Sequence, residues 1–388
     1  MQKELWTIAN KVIASLAEHG FEAYIVGGAV RDWLLNDPIV DVDIATNAFP
    51  ENVKAIFSGT IDVGVTHGTV IVPIGGQTVE VTTFKGDGGR FGKTIKEDLT
   101  RRDFTMNAMA ISNTDTLIDP FGGIQDLENG IIRSVGMAKE RFEEDPIRML
   151  RALRFAHTLG FQLDKKTEES IREHSLLIAN VAVERIADEW RKMLVTPLKK
   201  HTFINLLASP LTDHLTAFPQ KVKCLPVLRD YPYDFVISNE NAFWFLASWS
   251  SCDSEVRAVL NHYKRSNRLI KDIMAMRQVV EGILKGGWTS ETLYLARKGD
   301  LPFCEQIRAL LKGEQACRSA VVTMRETLPI QAKSDLAVQG KDLINEFKIN
   351  EGKRIGTMLN RIERAVVNGQ VTNEKQSIFQ YVREEERR

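Results

Sequence analysis

The sequence contains no apolar run near the roughly 20 residues that a helical membrane span needs, which excludes a helical channel or transporter. Cysteine is scarce. Cys224, Cys252, Cys304 and Cys317 stand singly in the second half with no CxxC spacing, so neither a zinc ribbon nor a disulfide framework is available. They read as reduced, mostly buried thiols of a cytosolic protein. The seven histidines include no His-Asp dipeptide and no HExxH, which removes zincins and gives no support to a phosphohydrolase. Excess charge is also missing. Fifty-one basic residues balance 51 acidic ones, which counts against a long phosphate-tracking surface but allows a local basic patch.

What is present is ordinary globular material, 43% hydrophobic and 26% charged, in a chain of 388 residues long enough for several cores. The opening MQKELWTIANKVIASLAEHG resembles a leader only superficially. Leu5, Ile8, Val12, Ile13 and Leu16 recur at helical spacing with Lys11 and Glu18 between them, as in an amphipathic helix stopped by Gly20. Up to about residue 140 the pattern mixes helices and strands. Strands are expected at Glu22–Val26, Val40–Ile44, Thr69–Ile74, Thr78–Phe84, Met109–Ser112 and Thr116–Ile118, with a hairpin turn at Gly75-Gly76. Beyond Ala138 helical periodicity takes over in Pro146–Leu159, Lys166–Glu173, Val183–Leu194, Ser254–Tyr263, Leu269–Leu284, Leu301–Leu311 and Arg354–Val367. The expected class is α+β: a small mixed-sheet head followed by an all-helical remainder.

The segment Tyr24–Thr46 carries the chemistry. A short strand ends in Gly27-Gly28, a helical stretch follows, and a second strand brings Asp41 and Asp43. Carboxylates at i and i+2 of a strand face the same way, giving oxygens enough to hold hard Mg²⁺ ions beside a phosphate. Paired glycines let backbone N–H groups approach a triphosphate closely. Together these point to nucleotidyl transfer. Glu80, between Val79 and Val81, either completes a metal-binding trio or pairs with a head arginine such as Arg102 and supports the site.

Two further segments add polar groups. In EDLTRRDFTMNA, Arg101 and Arg102 offer a guanidinium fork to phosphate oxygens, while Asp103 and Asn107 suit local backbone hydrogen bonds. In EDPIRMLRALRF, Asp145 before Pro146 suits a helix start, and Arg148, Arg151 and Arg154 form a polar stripe. Cytosine and adenine each show an amino donor beside a ring-nitrogen acceptor. A carboxylate at Asp145 and a guanidinium at Arg148 would match that pair and reject uracil and guanine.

These segments, GGAVRD…DVDIAT, EDLTRRDFTMNAMA and EDPIRMLRALRFA, resemble the bacterial-type (class II) tRNA nucleotidyltransferases, the CCA-adding enzymes of the DNA polymerase beta superfamily. His67-Gly68-Thr69-Val70, Asp119-Pro120-Phe121-Gly122-Gly123 and Val183-Glu184-Arg185-Ile186 support the likeness, with a weaker match from Ile355 to Asn373. It is dense over residues 20–190 and thin from 200 to 340. The resemblance implies a seahorse shape: a catalytic head (1–140), a neck with the base-reading template (141–200), and a helical body and tail (201–388) that bind tRNA. It implies Asp41 and Asp43 as catalytic metal ligands. Gly27, Gly28, Arg31 and Arg102 would lie at the nucleotide, Asp145 and Arg148 would read the base, and Arg151 and Arg154 would also bind nucleotide. The implied reaction is in-line attack of the tRNA 3′-hydroxyl on the α-phosphate of CTP or ATP with Mg²⁺, releasing pyrophosphate. The implied partners are tRNA (acceptor stem and elbow), CTP and ATP, with no DNA and no membrane, in the cytoplasm.

One departure bears on the product. Between Phe84 and Glu97, CCA-adding members carry a longer loop with an Asp…Arg pair that helps switch the pocket from C to A. Here only Lys85–Lys96 fills that space. Members without the loop stop after two cytidines, so a CC-adding enzyme is the expectation. The alternatives are a full CCA-adding enzyme, an A-adding enzyme or poly(A) polymerase, and an inactive RNA-binding relative. Lys264–Lys271 and Lys221–Lys223 are secondary candidates for RNA phosphates. The aromatic cluster around Phe243, Trp244, Phe245, Trp249 and Tyr263 reads as core.

Overall fold

A computed structural model describes residues 2–62, 68–86, 90–218, 224–249, 251–348 and 352–387. His67 and Lys221–Lys223 lie outside these described residues. The chain forms two compact units, Met1–Thr196 with Ala208–Thr216, and Pro197–Leu207 with Ala217–Arg388.

The first unit is built on a seven-stranded mixed sheet. Its strands are β1 (Ala23–Val26), β2 (Asp43–Thr46), β3 (Ile61–Asp62), β4 (Thr69–Ile74), β5 (Gln77–Thr83), β6 (Ala110–Ile111) and β7 (Leu117–Ile118), in the order β3-β4-β5-β2-β1-β6-β7. The β4–β5 hairpin closes through Gly75 and Gly76, whose φ values of 60° and 77° are those that a two-residue turn demands. Val70, Val72, Val79 and Val81 alternate inward and are fully buried, as the period of two requires. Helix α1 (Gln2–Glu18) contacts β1 and β5 and buries Leu5, Ile8, Val12, Ile13 and Leu16, the stripe seen in the sequence. A second apolar cluster packs Val26, Ala45 and Phe84 against Ile95, Leu99, Ala108, Ala110 and Val135.

One strand differs from expectation. β2 begins at Asp43 and runs to Thr46, not from Val40 to Ile44, so Asp41 sits in the chain leading into the strand. Ladder partners decide this. Val26 faces Asp43 and Ala23 faces Thr46, and β1 offers no residue opposite Asp41.

After α2 (Gly28–Leu34), α3 (Pro50–Ile56), α4 (Ile95–Thr100) and α5 (Gly123–Glu128) come α6 (Ala138–Glu144), α7 (Ile147–Leu159), α8 (Lys165–His174) and α9 (Val183–Met193). Helices α7 and α9 pack together, burying Met149, Leu150, Ala152 and Phe155 against Ile186, Ala187, Trp190 and Met193. Asp145 does not cap α7 through its side chain. The helix starts one residue later than expected, with Pro146 at its cap, and the Asp145 carboxylate turns to Arg185 instead.

The second unit is helical apart from the two-residue pair Leu198–Lys199 with Val236–Ile237. Phe203, Phe243, Trp244 and Tyr263 are fully buried and meet edge-on or tilted at 5.0–5.8 Å, core as expected; Phe245 is fully buried too and meets Trp249 at 5.1 Å, but Trp249 itself is only half-buried. A further cluster joins Leu336, Val338, Leu343, Ile362, Val366, Ile378 and Val382. The cysteines correct an expectation. Cys304 is buried, but Cys252 and Cys317 are exposed because each immediately precedes a helix, Asp253–His262 and Arg318–Glu326.

Candidate active site

Register places the first acids. In the parallel β2–β5 pair Asp43 lies opposite Glu80, and in the antiparallel β1–β2 pair it lies opposite Val26, just before the two glycines. Burial pushes the Asp43 carboxyl above its ordinary range. Arg102 opposes the shift, while the neighbouring charge of Asp41 adds to it. Burial raises Glu80 as well, with Asp43 adding to the effect. Asp41, Asp43 and Glu80 therefore feel one another, and their mutual repulsion is what a hard divalent cation would relieve. The donor set fits such an ion. Among the described residues, no three acids, histidines or cysteines stand close enough together to hold one, so the fit is one of donor chemistry alone.

Gly27 adopts φ 73° and ψ −132°, a conformation that a side chain resists. Its missing Cβ leaves room for Arg102. A methyl there would stand 2.7 Å from Arg102 Nη1 and 3.9 Å from Asp43 Oδ2. Arg102 donates from Nε and Nη2 to Asp98 Oδ2 at 3.1 and 2.9 Å, and Asp98 Oδ1 accepts from the Lys85 backbone N–H. The expected support role of Glu80, pairing with Arg102, is thus taken by Asp98.

Asp43, Glu80, Lys85, Asp98 and Arg102 line a cleft of about 910 Å³ together with Arg101, Asp103, Glu144, Asp145, Arg148 and Arg151, and with Glu184, Arg185, Asp188, Glu189 and Lys192 of α9. Gly27, Gly28, Asp41, Arg31 and Arg154 are not among its lining residues. Arg31 donates to Asn107 and Asp32 at 2.8 Å. The guanidiniums of Arg31, Arg151 and Arg154 lie 5.1, 5.5 and 3.9 Å from the ring centre of Phe155.

The arginine stripe of α7 is a network, not a solvated face. Arg151 donates to Asp103 Oδ2 at 2.9 and 2.7 Å and reaches Glu189 at 3.4 Å, while Arg154 donates to Glu189 at 2.6 Å. Burial works against charge on Asp103, yet Arg151, Asn107 and the Phe104 N–H outweigh it and hold the carboxyl at about 2. Asp103 therefore does more than bond its local backbone. Arg148 donates to Glu144 at 2.8 Å and to the Arg101 carbonyl at 2.7 Å. Asp145 accepts both guanidinium nitrogens of Arg185, at 3.0 and 2.8 Å.

Sequence reasoning gave no role to Asp98, Glu144, Arg185 or Glu189. Asp98 and Glu144 stand four residues before Arg102 and Arg148, a helical ion-pair spacing that was open to reading. Glu189 beside buried Trp190 offered the clue of an acid on an apolar helix face. Arg185 stood in a segment that supports the family likeness, but nothing local pointed to its partner, which lies 40 residues away.

In-register acids beside an arginine-rich cleft, on a small mixed sheet, define a nucleotidyltransferase head. Residues 23–133 match the Poly A polymerase head domain, 160–220 a probable RNA and SrmB-binding site of polymerase A, and 235–382 a putative tRNA nucleotidyltransferase domain 2. The chain is 40% identical to a CCA-adding enzyme of Geobacillus stearothermophilus, covering 97% of this chain and 96% of that one, and 38% identical to one of Pediococcus pentosaceus, covering 96% of each. The chain belongs to the CCA-adding tRNA nucleotidyltransferase family. It superposes on the Bacillus stearothermophilus CCA-adding enzyme in complex with CTP with a TM-score of 0.82 at 39% identity, over 98% of both chains. The Thermotoga maritima CCA-adding enzyme complexed with tRNA gives 0.71 at 23% identity, covering 97% of this chain and 94% of that one, a likeness of fold. Among the described residues, no helix is long and apolar enough to cross a membrane.

Proposed function

We propose that this protein extends the 3′ end of tRNA with two cytidines from CTP in the cytoplasm, releasing pyrophosphate at each step. The observation that carries the transferase reading is the register of Asp43 with Glu80, beside Gly27, whose missing Cβ leaves room for Arg102. Asp41 and Asp43 would hold Mg²⁺, with Glu80 alongside, and the ion would supply Lewis acidity there. Arg102, fixed by Asp98, orients the triphosphate, and Gly27 and Gly28 give it backbone room. Asp145 accepts from the exocyclic amino group of the base, and Arg148 donates to its ring nitrogen. Asp145 has acceptor capacity beyond its two bonds to Arg185, so both contacts are compatible. Arg151, Arg154 and Arg31 set the position of this wall through Asp103, Glu189 and Phe155. Residues 1–140 act as head, 141–200 as neck, and 201–388 as the tRNA-binding body and tail.

The choice of CC rests on Lys85–Lys96. Lys85 bridges to Phe91, Gly86 N–H donates to the Arg90 carbonyl at 2.8 Å, and Gly92 N–H donates to the Phe84 carbonyl at 2.6 Å. Thr94 then caps α4 directly. So little chain leaves no long lever for re-aiming the pocket; its residues 87–89 lie outside those described. Full CCA addition with ATP is the second reading, favoured by the relatives, which are CCA-adding enzymes along nearly their whole length. Incubation of tRNA lacking its 3′ end with CTP alone, then with CTP and ATP, decides on a sequencing gel. Products stopping at CC in both reactions are expected. Efficient terminal adenosine would transfer the assignment to CCA, and no incorporation at all would end the transferase reading.

A further inference from the structure

The hairpin that follows β5 presents three side chains to the cleft: Lys85, Arg90 and Phe91. Phe91 is 42% exposed, unusual for phenylalanine beside an active site. Its ring is nonetheless held. It meets Phe49 edge-on at 5.4 Å, and its edge occupies the space beside Gly68, where a Cβ would come within 2.6 Å of Phe91 Cε1. The ring's position is thus fixed while much of its surface stays open to the cleft.

The two cations are as distinctive. The other cations lining the cleft engage carboxylates: Arg101 and Arg148 with Glu144, Arg102 with Asp98, Arg151 with Asp103, Arg185 with Asp145 and Lys192 with Asp188. Lys85 and Arg90 form no ion pair among the described residues and are exposed. A pinned aromatic face flanked by two exposed cations has the composition of a seat for single-stranded nucleic acid.

We infer that Phe91 stacks on the terminal base of the RNA being extended, with Lys85 and Arg90 holding the adjoining phosphates. This rests on the transferase reading above and names the seat of its second substrate. The incoming base has its edge read from α7, by Asp145 and Arg148. Among its described residues the hairpin offers the cleft an exposed π-face and two cations, and no side-chain acceptor for a base edge. The first end extended is whatever base the tRNA carries and the second is the cytosine just added, so the seat must accept more than one base, which stacking does and edge hydrogen bonding does not.

The test uses the full chain and an RNA minihelix ending in 2-aminopurine, titrated without CTP. Quenching of the terminal base is expected in the wild type and in Phe91→Trp. It should be lost in Phe91→Leu, which keeps an apolar side chain against Phe49 and Gly68. In steady-state CMP addition, Phe91→Leu should raise KM for RNA about tenfold and leave KM for CTP within twofold. Lys85→Gln and Arg90→Gln should each lower the slope of log affinity for RNA against log salt by about one, and Phe91→Leu should not change it. Equal quenching in wild type and Phe91→Leu overturns the proposal, as does an effect of Phe91→Leu on KM for CTP alone. The quenching needs no turnover, so an inactive wild type would count against the proposed function and leave this result readable.

Discussion

Replacing Gly27 by alanine should disable nucleotide handling through Arg102, with no contact of the new methyl to substrate required. The backbone at φ 73° and ψ −132° resists any side chain, a strain of roughly 1–3 kcal/mol. The methyl would also sit 2.7 Å from Arg102 Nη1, so the guanidinium must swing away. That movement gives up two hydrogen bonds to Asp98 at 3.1 and 2.9 Å. Arg102 is partly solvated, which reduces the stability cost of losing them to about 1 kcal/mol. Together, a loss of about 2–4 kcal/mol is expected in the stability of the first unit. The catalytic effect should be larger. A charged donor lost from the triphosphate costs about 10²–10³ in rate. The assay is CMP addition to tRNA over a range of CTP, with hydrogen exchange of β1 and β2 measured in parallel. The discriminating comparison is a double-mutant cycle with Arg102→Ala. Gly27→Ala should cost activity in the wild-type background and little more in Arg102→Ala. Independent, fully additive effects would refute the coupling, and an unchanged kcat/KM for CTP would refute the reasoning altogether.

Asp103 titrates at about 2 in the folded protein against 3.8 unfolded, so its contribution of about 2 kcal/mol is complete above pH 4 and lost as pH falls toward 2. Asp103→Asn should lower stability at neutral pH and flatten that acid-side decline, measured as exchange protection of α7 at pH 7 and pH 3. Asp145→Ala should reduce CMP incorporation about 10- to 100-fold, because the cytosine amino group loses its acceptor, and should narrow the preference of CTP over UTP in single-nucleotide addition. Trp244 is fully buried in the aromatic core of the second unit. Trp244→Ala should cost about 3–5 kcal/mol in urea unfolding of the full chain.

The strands and turns of the sheet were largely legible because they depend on short-range signals. Alternation marked β4, the Gly75-Gly76 pair marked its turn, and Asp41 with Asp43 sat between apolar residues. The start of β2 was misplaced because Val40-Asp41-Val42 alternates as well as any strand does. Only the partner strand, ending at Val26, shows where pairing begins. The Asp145 cap was misread for a similar reason. A local rule favours an acid before Pro146, but a guanidinium 40 residues later competes for the same oxygens with two strong bonds. Helix periodicity found α7 and α9 but could not show that their facing sides share Glu189. The exposed Cys252 and Cys317 follow from the same limit, since burial belongs to the packed neighbours and not to the residue type.

Most of the cleft's arginines arrive already bonded to acids, and carboxylates outnumber cations among its lining side chains. A polyanion entering such a place must share each guanidinium with a resident rival. In the proposed reaction the same rivalry favours departure: once the pyrophosphate is cut free, Asp98 stands ready to reclaim Arg102. An enzyme that must let go of one product before adding the next nucleotide gains turnover from that arrangement, at some expense of grip.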